Sequence, residues 1–403
     1  MSTELLIARP GSRPGGAPAR RRPRSSVPRT SAEVFKLEFS EDLLTGVDTV
    51  SPPSEPTMAY LGRNRARAKG YGGRRLARSA MVKVGVTGAS GYIGGALVPF
   101  LAGRHYDLRL IDNRSGPIEA THREWPVERG DFESDAGLAL LSDCDVILHL
   151  AAVSGVMVCA QDPKRTARTN VGGTARLVAM CRERRIPIAF ASSFAVVGAP
   201  TELPVLESTP ARPTHEYARQ KTAGEERVAA LGREGAVPVA IVRQSNVYGG
   251  YRAEGRYITK GNVIQLFARQ AATGRLSVNA PGTQRRDFIH LEDVLAHWEA
   301  ITRFLLRPGS LPGSTTFNVA SGEALSVLEV AEQVRREFAR LRPTAAPVRI
   351  DVVPNPREGV ELVEPGFAVD RTVTEQTLGV RCHFHVQAAL PSIFRDAEEL
   401  APR

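Results

Sequence analysis

From Met81 onward, apolar and polar positions follow two rhythms that alternate along the chain. Residues 82–86 (Val-Lys-Val-Gly-Val) form a short apolar run of strand length. Glycines follow, and then Ile93, Leu97 and Leu101 recur at helical spacing. Residues 108–111 read as a second strand ending at Asp112, and 146–150, 188–191 and 237–242 as further buried strands. The helical period returns over 172–185 and 216–231. Strands alternating with helices predict parallel βαβ units, hence an α/β chain with a Rossmann-type doubly wound parallel sheet. Beyond about Asn246 the alternation becomes irregular and richer in Gly and Pro, which predicts a smaller C-terminal α/β lobe. The expected division is a Rossmann domain over 81–245, with 276–300 returning to it, and a second lobe built from 246–275 and 301–403.

Upstream of Met81 neither rhythm is present. The whole chain of 403 residues is 42% hydrophobic, near the globular average, so a collagen or a wholly disordered chain is excluded. Its net charge of +10 invites a nucleic-acid reading, but the charge is not spread evenly. Residues 1–80 hold 15 Lys and Arg against 7 Asp and Glu, while the remainder holds 38 against 36. The excess lies in runs such as Arg20-Arg21-Arg22-Pro23-Arg24, interleaved with Gly, Pro and Ser. Such a segment buries too little apolar surface to offset its ordering entropy, so 1–80 is expected to be a disordered basic tail. It reads as a leader or upstream extension, with no nucleic-acid partner expected. No run approaches the ~18 apolar residues of a membrane span, so no membrane partner is expected either. Cys144, Cys159, Cys181 and Cys382 form no CxxC pair, and the Cys382-His383-Phe384-His385 cluster lacks a distant partner pair. No metal site is expected, and the cytoplasm is the expected compartment.

The chemistry begins at Thr87-Gly88-Ala89-Ser90-Gly91-Tyr92-Ile93-Gly94, three glycines spaced G-x-x-G-x-x-G between a strand and an amphipathic helix. At that junction a backbone free of side chains can approach a pyrophosphate, and a helix N-terminus offers N–H donors. Asp112 follows 18 residues after Gly94 at the end of the next strand, where a carboxylate binds ribose hydroxyls and repels a 2′-phosphate. This favours NAD over NADP, a preference that Arg114 opposes.

Tyr217 and Lys221 are spaced i, i+4 and project from one helix face. A free tyrosine titrates near pH 10, so a useful phenolate needs about three pKa units of help. A neighbouring ammonium and a nicotinamide cation act in that direction. Lysine is informative here, because only six of the 53 basic residues are Lys. Upstream, residues 188–193 form an apolar strand ending in Ser192 and Ser193, whose hydroxyls fall where parallel sheets place their chemistry. Ser193 is the candidate to orient a substrate hydroxyl toward Tyr217.

Together the glycine loop, Leu150-Ala151-Ala152, Asn170-Val171, Ser192-Ser193, Tyr217/Lys221 and residues 243–249 (Arg-Gln-Ser-Asn-Val-Tyr-Gly) resemble the extended short-chain dehydrogenase/reductases. Within these, the chain resembles the NAD-dependent epimerase/dehydratase family, whose type is UDP-glucose 4-epimerase. The likeness continues through residues 286–293, Phe317-Asn318-Val319 and Pro356-Arg357-Glu358-Gly359, spanning roughly 81–395. It implies NAD as cofactor, a nucleotide-sugar substrate and a homodimer. It also implies cofactor contacts at Gly88, Ser90, Gly91, Tyr92, Ile93, Gly94, Asp112, Asp131, Phe132, Leu150, Ala151, Ala152 and Asn170, with Asp131 at adenine. Ser193, Tyr217 and Lys221 would be catalytic, with Tyr217 and Lys221 also touching NAD. Ser193, Asn246, Arg286 and Arg357 would meet the substrate, the two arginines at its diphosphate.

Two departures narrow the reaction. Dehydratases of the family usually carry acidic residues just after the catalytic hydroxyl, whereas Phe194-Ala195 follow Ser193 here. Val197 also replaces the tyrosine that often precedes Gly198. Epimerisation through a keto intermediate is therefore expected, with reduction or dehydrogenation of a sugar or small carbonyl compound as the alternative. A dinucleotide-sensing or RNA-associated binding protein is the alternative outside the enzymes.

Overall fold

The computed structural model describes residues 81–115, 122–307, 312–355 and 367–399. The basic segment 1–80 and the expected diphosphate ligand Arg357 lie outside the described residues.

Seven parallel strands form the central sheet in the order β12-β6-β5-β4-β1-β2-β3. They are β1 (Lys83–Thr87), β2 (Asp107–Asp112), β3 (Glu128–Arg129), β4 (Val146–His149), β5 (Ile188–Ser193), β6 (Pro238–Gln244) and, late in the chain, β12 (Gly313–Val319). The doubly wound Rossmann arrangement is as expected. Strand residues alternate between two buried layers, which is why the strands read as near-continuous apolar runs. Val84, Val86, Leu148, Ala189 and Val242 face a core completed by Leu97, Leu101 and Trp298 from the helices Tyr92–Ala102 and Leu291–Leu305. Ile147, Ile188, Phe190, Val239 and Ile241 face the other core, shared with Leu177, Val228 and Leu231 from the helices Thr174–Arg184 and Glu216–Arg233. The strand order reverses between β1 and β4, and a crevice at that point is where doubly wound sheets bind ligands.

The remaining strands are short and make small sheets. β7 (Asn246–Tyr248) pairs with β11 (Arg285–His290), which also pairs antiparallel with β13 (Ala324–Ser326). β8 (Gly250–Ala253) and β9 (Arg256–Thr259) form a hairpin, and β10 (Arg275–Asn279) pairs with β14 (Arg349–Val353). A third cluster, in which Tyr248, Phe267, Phe288, Val330, Leu390 and Phe394 meet, backs β7, β10 and β11, while Ala253 and Ile258 of the hairpin join the first core of the central sheet. The expected boundary at 301 does not follow the strands: β12, inside the range assigned to the lobe, is the edge of the central sheet. The Gly- and Pro-rich connection before it hides this return from a periodicity reading.

Two buried carboxylates tie the segments together. Asp287 Oδ1 accepts from the Ser245 hydroxyl (2.5 Å) and the Ser321 N–H (2.9 Å), and Oδ2 from the Gly322 N–H (2.7 Å) and the Ser321 hydroxyl (3.1 Å). Asp293 accepts the N–H groups of His383 and Phe384, and Phe384 stacks on His290. The Gly249 carbonyl is a third junction. It accepts from the Tyr92 hydroxyl (2.8 Å), the Thr259 hydroxyl (3.0 Å) and Gln265 Nε2 (3.0 Å).

Candidate active site

The glycine loop is bare backbone by necessity. Gly88 stands at φ +73°, and a Cβ there would come within 2.7 Å of the Ala151 nitrogen; one on Gly94 would run into the Gly88 carbonyl. Gly91 is the N-cap of the helix Tyr92–Ala102, and among the described residues no side chain caps its first N–H groups. Asp112 closes one side of the loop. Its Oδ2 accepts the Ser90 N–H at 3.0 Å and its Oδ1 the Arg114 N–H at 2.6 Å. Arg114 sits at φ +55° in that turn. Across the crevice, Leu150, Ala151 and Ala152 leave β4 half-buried, with the Ala151 N–H donating to the Thr87 hydroxyl at 3.2 Å.

That hydroxyl starts a buried chain. Thr174 Oγ1 donates to the Asn170 carbonyl (2.8 Å), so it must accept from His149 Nε2–H (3.0 Å), which leaves His149 Nδ1 to accept the proton of Thr87 Oγ1 (2.8 Å). The polarity of the chain selects the Nε2–H tautomer. Burial pushes the His149 pKa down to about 3, assisted by the Lys221 charge, so the ring is neutral. The chain ends in a π-helical turn, Arg168–Gly173, of the kind often found at functional sites.

Asn170 in that turn is fully engaged with protein. Its Oδ1 accepts the Val153 N–H (2.8 Å), and its Nδ2 donates to the Val153 carbonyl (2.9 Å) and to Gln220 Oε1 (2.7 Å). It shapes the loop after Ala152. Phe132 is likewise a core residue, with its ring 4.8 Å from that of His149. Tyr92 also points inward, to Gly249, so only its backbone faces the glycine loop. Asp131 is exposed and accepts from Asn113 Nδ2 at 2.7 Å.

Ser193 ends β5, and its hydroxyl oxygen accepts the Ala195 N–H (3.2 Å), capping the short 3₁₀ turn Phe194–Val197. The same hydroxyl lies close enough to the Tyr217 phenol to favour the phenolate. Lys221, one turn along the helix, is buried; its ammonium donates to the Ala191 carbonyl at 2.7 Å and lies 4.9 Å from the Phe190 ring centre. The three residues therefore converge at the carboxyl end of β5.

Their electrostatics differ from the expectation. Burial pushes Tyr217 up to about 12. Burial also brings Lys221 down to about 8, opposed by Cys159 and Glu225 and assisted by Lys260. In the protein alone, desolvation of the phenolate outweighs any help from the lysine.

On the substrate side, Asn246 is exposed just past the register partner of Ser193, Gln244, and donates to the Asp287 carbonyl at 3.0 Å. Arg286 is half-buried on the adjoining strand. The residues that sequence reasoning missed are mostly interior: His149, Thr174, Gln220 and Glu225. Gln220 and Glu225 carried a signal, since they flank Lys221 on its own helix.

The family model described as the NAD dependent epimerase/dehydratase family matches residues 84–320. The chain belongs to this family. It is 30% identical over 269 residues to a UDP-glucose 4-epimerase of Streptomyces lividans, covering 62% of this chain and 79% of that one. It is 29% identical to a dTDP-L-rhamnose 4-epimerase of Burkholderia thailandensis, covering 65% and 82%. A UDP-glucose-4-epimerase structure from Stenotrophomonas maltophila with NAD and formylated UDP-arabinopyranose shares the fold at TM-score 0.68. It is 23% identical and covers 79% of this chain and 98% of that one.

The residues present fit the family's dinucleotide. The loop is a cradle that side chains would fill, the helix start above it is uncapped, and Ser90 Oγ is buried there with no hydrogen-bond partner among the described residues. Each is a polar or steric provision for an anionic ligand held by backbone.

Proposed function

We propose that this chain is an NAD-dependent nucleotide-sugar epimerase, oxidising one hydroxyl-bearing carbon of the sugar and reducing the ketone on its other face. The observation that carries this reading is the convergence of Ser193, Tyr217 and Lys221 beside the bare glycine loop. Gly88, Gly91 and Gly94, with the N–H groups of Tyr92 and Ile93, would hold the pyrophosphate, Asp112 the adenosine ribose and Lys221 the nicotinamide ribose. NAD, when bound, supplies a hydride acceptor that gives the hydride back.

Tyr217 takes the proton of the sugar hydroxyl and later returns it. Ser193, steadied by Ala195, orients that hydroxyl. A phenol at about 12 is a poor base near neutrality, so it needs added positive charge; Lys221 is the cation this chain supplies one turn away. No carboxylate follows Ser193 to drive an elimination: Phe194 is buried against Phe367, and Ala195 carries no acid. This supports epimerisation over dehydration. Asn246, Arg286 and Arg357 are proposed to meet the nucleoside diphosphate, in a cytoplasmic homodimer. Among the described residues no helix is long and apolar enough to cross a membrane.

The test is to incubate the purified full chain and NAD with UDP-, dTDP- and GDP-hexoses. One hexose and its epimer should interconvert with no net NADH, and Tyr217→Phe should lower turnover by about 10³-fold or more. Stoichiometric NADH would transfer the assignment to a sugar dehydrogenase. A panel returned unchanged would refute the reading.

A further inference from the structure

Tyr217, Lys221 and Glu225 are spaced i, i+4, i+8, so one helix stripe runs from the site into the interior and ends on a carboxylate. Glu225 is buried, as are its partners Ser192 and Arg243. Its Oε1 accepts from the Ser192 hydroxyl (2.6 Å) and Arg243 Nε (3.1 Å), and its Oε2 from Arg243 Nη2 (2.9 Å). Arg243 Nη1 donates to the Thr209 carbonyl at 2.7 Å. Ser192 and Arg243 are register partners on β5 and β6. Alternation along β5 directs Ser193 to the substrate and Ser192 to this pair. Four segments are thus fastened at one ion pair: the Tyr-Lys helix, the ends of β5 and β6, and the loop leading to the helix.

A buried ion pair is a poor source of stability, because desolvation offsets most of the attraction. Its arrangement here serves another end. Glu225 stands one turn beyond Lys221 on the same helix and holds Ser192, the chain neighbour of the Ala191 carbonyl that the Lys221 ammonium grips. The other groups facing that ammonium are the Cys159 thiol from the helix Val156–Gln161, neutral His149 on β4, and Lys260 beyond β9. Neither the thiol nor the imidazole supplies negative charge near neutrality, and Lys260, itself pushed down by burial, acts only against the ammonium.

We propose that Glu225 is a positioning residue of the reaction: gripped by Arg243 and Ser192, it keeps Lys221 an ammonium, aligned on Ala191, and thereby sets the upper pH limit of Tyr217 catalysis. This rests on the reading of Ser193, Tyr217 and Lys221 as the reaction centre.

The sign follows directly. Removing the carboxylate lets Lys221 lose its proton at lower pH, so the alkaline limb of kcat/KM should move down. The test uses the full chain as Glu225→Gln, and as Glu225→Gln/Arg243→Met in case the single change leaves an unpaired guanidinium that prevents folding. With only six lysines, ¹³C-lysine NMR resolves the Lys221 titration without turnover, assigned through Lys221→Arg. In whichever variant folds, the Lys221 midpoint and the alkaline limb should both fall by about one pH unit, while Glu225→Asp should restore most of the shift. An unmoved NMR midpoint overturns the proposal, as does a moved midpoint with an unmoved limb. Lower activity at an unchanged pH profile would show a purely structural pair. If Tyr217→Phe keeps wild-type turnover, the reaction-centre reading itself fails, independently of the NMR result.

Discussion

The Ser90 N–H donates to Asp112 Oδ2 at 3.0 Å, fastening the end of β2 to the loop that follows β1. A group proposed to choose between two dinucleotides therefore also shapes the pyrophosphate cradle. Asp112→Ser should weaken NAD binding by about tenfold or more, through the lost ribose contact and a looser loop. It should narrow the gap to NADP, since the repelling charge is gone. Titrations with both cofactors check this; unchanged NAD affinity would remove Asp112 from the site.

Gly94→Ala places a methyl group against the Gly88 carbonyl, which belongs to backbone and cannot turn aside. The helix start must shift outward. NAD binding is expected to be lost or reduced by more than about a hundredfold, with stability down by roughly 1–3 kcal/mol. Calorimetry and thermal unfolding measured together separate the two effects.

Lys221 and Tyr217 give opposite pH signatures in the cofactor-free protein. Lys221 titrates near 8 when folded and near 10.5 when unfolded, so the unfolded chain binds more protons between those values and stability rises with pH across them. Tyr217 is displaced upward to about 12, so its term lowers stability above about pH 10. Lys221→Met should abolish the first trend, worth roughly 3 kcal/mol across the window. Urea unfolding at pH 7.5 and 10 reads the difference between variant and parent.

Asp287→Ala leaves the N–H groups of Ser321 and Gly322 and two serine hydroxyls without their shared acceptor. A loss of about 2–4 kcal/mol is expected, with Tm falling and residual NAD binding retained below the new Tm. A loss under ~0.5 kcal/mol would mean these donors find other partners.

Much of this was legible in the chain because period-2 and period-3.6 patterns are local. Residues 188–193 and 216–231 were read as strand and helix, and the structure has Ile188–Ser193 and Glu216–Arg233. The glycine loop and Ser193/Tyr217/Lys221 were legible for the same reason: each motif lies at the end of a patterned element. What escaped depends on contacts far apart in sequence. Nothing local reveals that Thr87 meets His149 or that Glu225 meets Arg243, or that β12 returns to pair with β6. The upward displacement of Tyr217 in the protein alone was not legible, because spacing shows which charge is near, while burial decides how much the phenolate loses.

The Gly249 carbonyl, held at once by Tyr92, Thr259 and Gln265, has a mechanical consequence. A carbonyl clasped from the first turn of the glycine-loop helix, from the end of β9 and from the helix Val263–Ala271 behaves as a rivet. Any swing of the hairpin side away from the crevice would have to shear three bonds together or carry the glycine-loop helix with it. The spacing between the glycine loop and the wall opposite is therefore set like a fixed gauge.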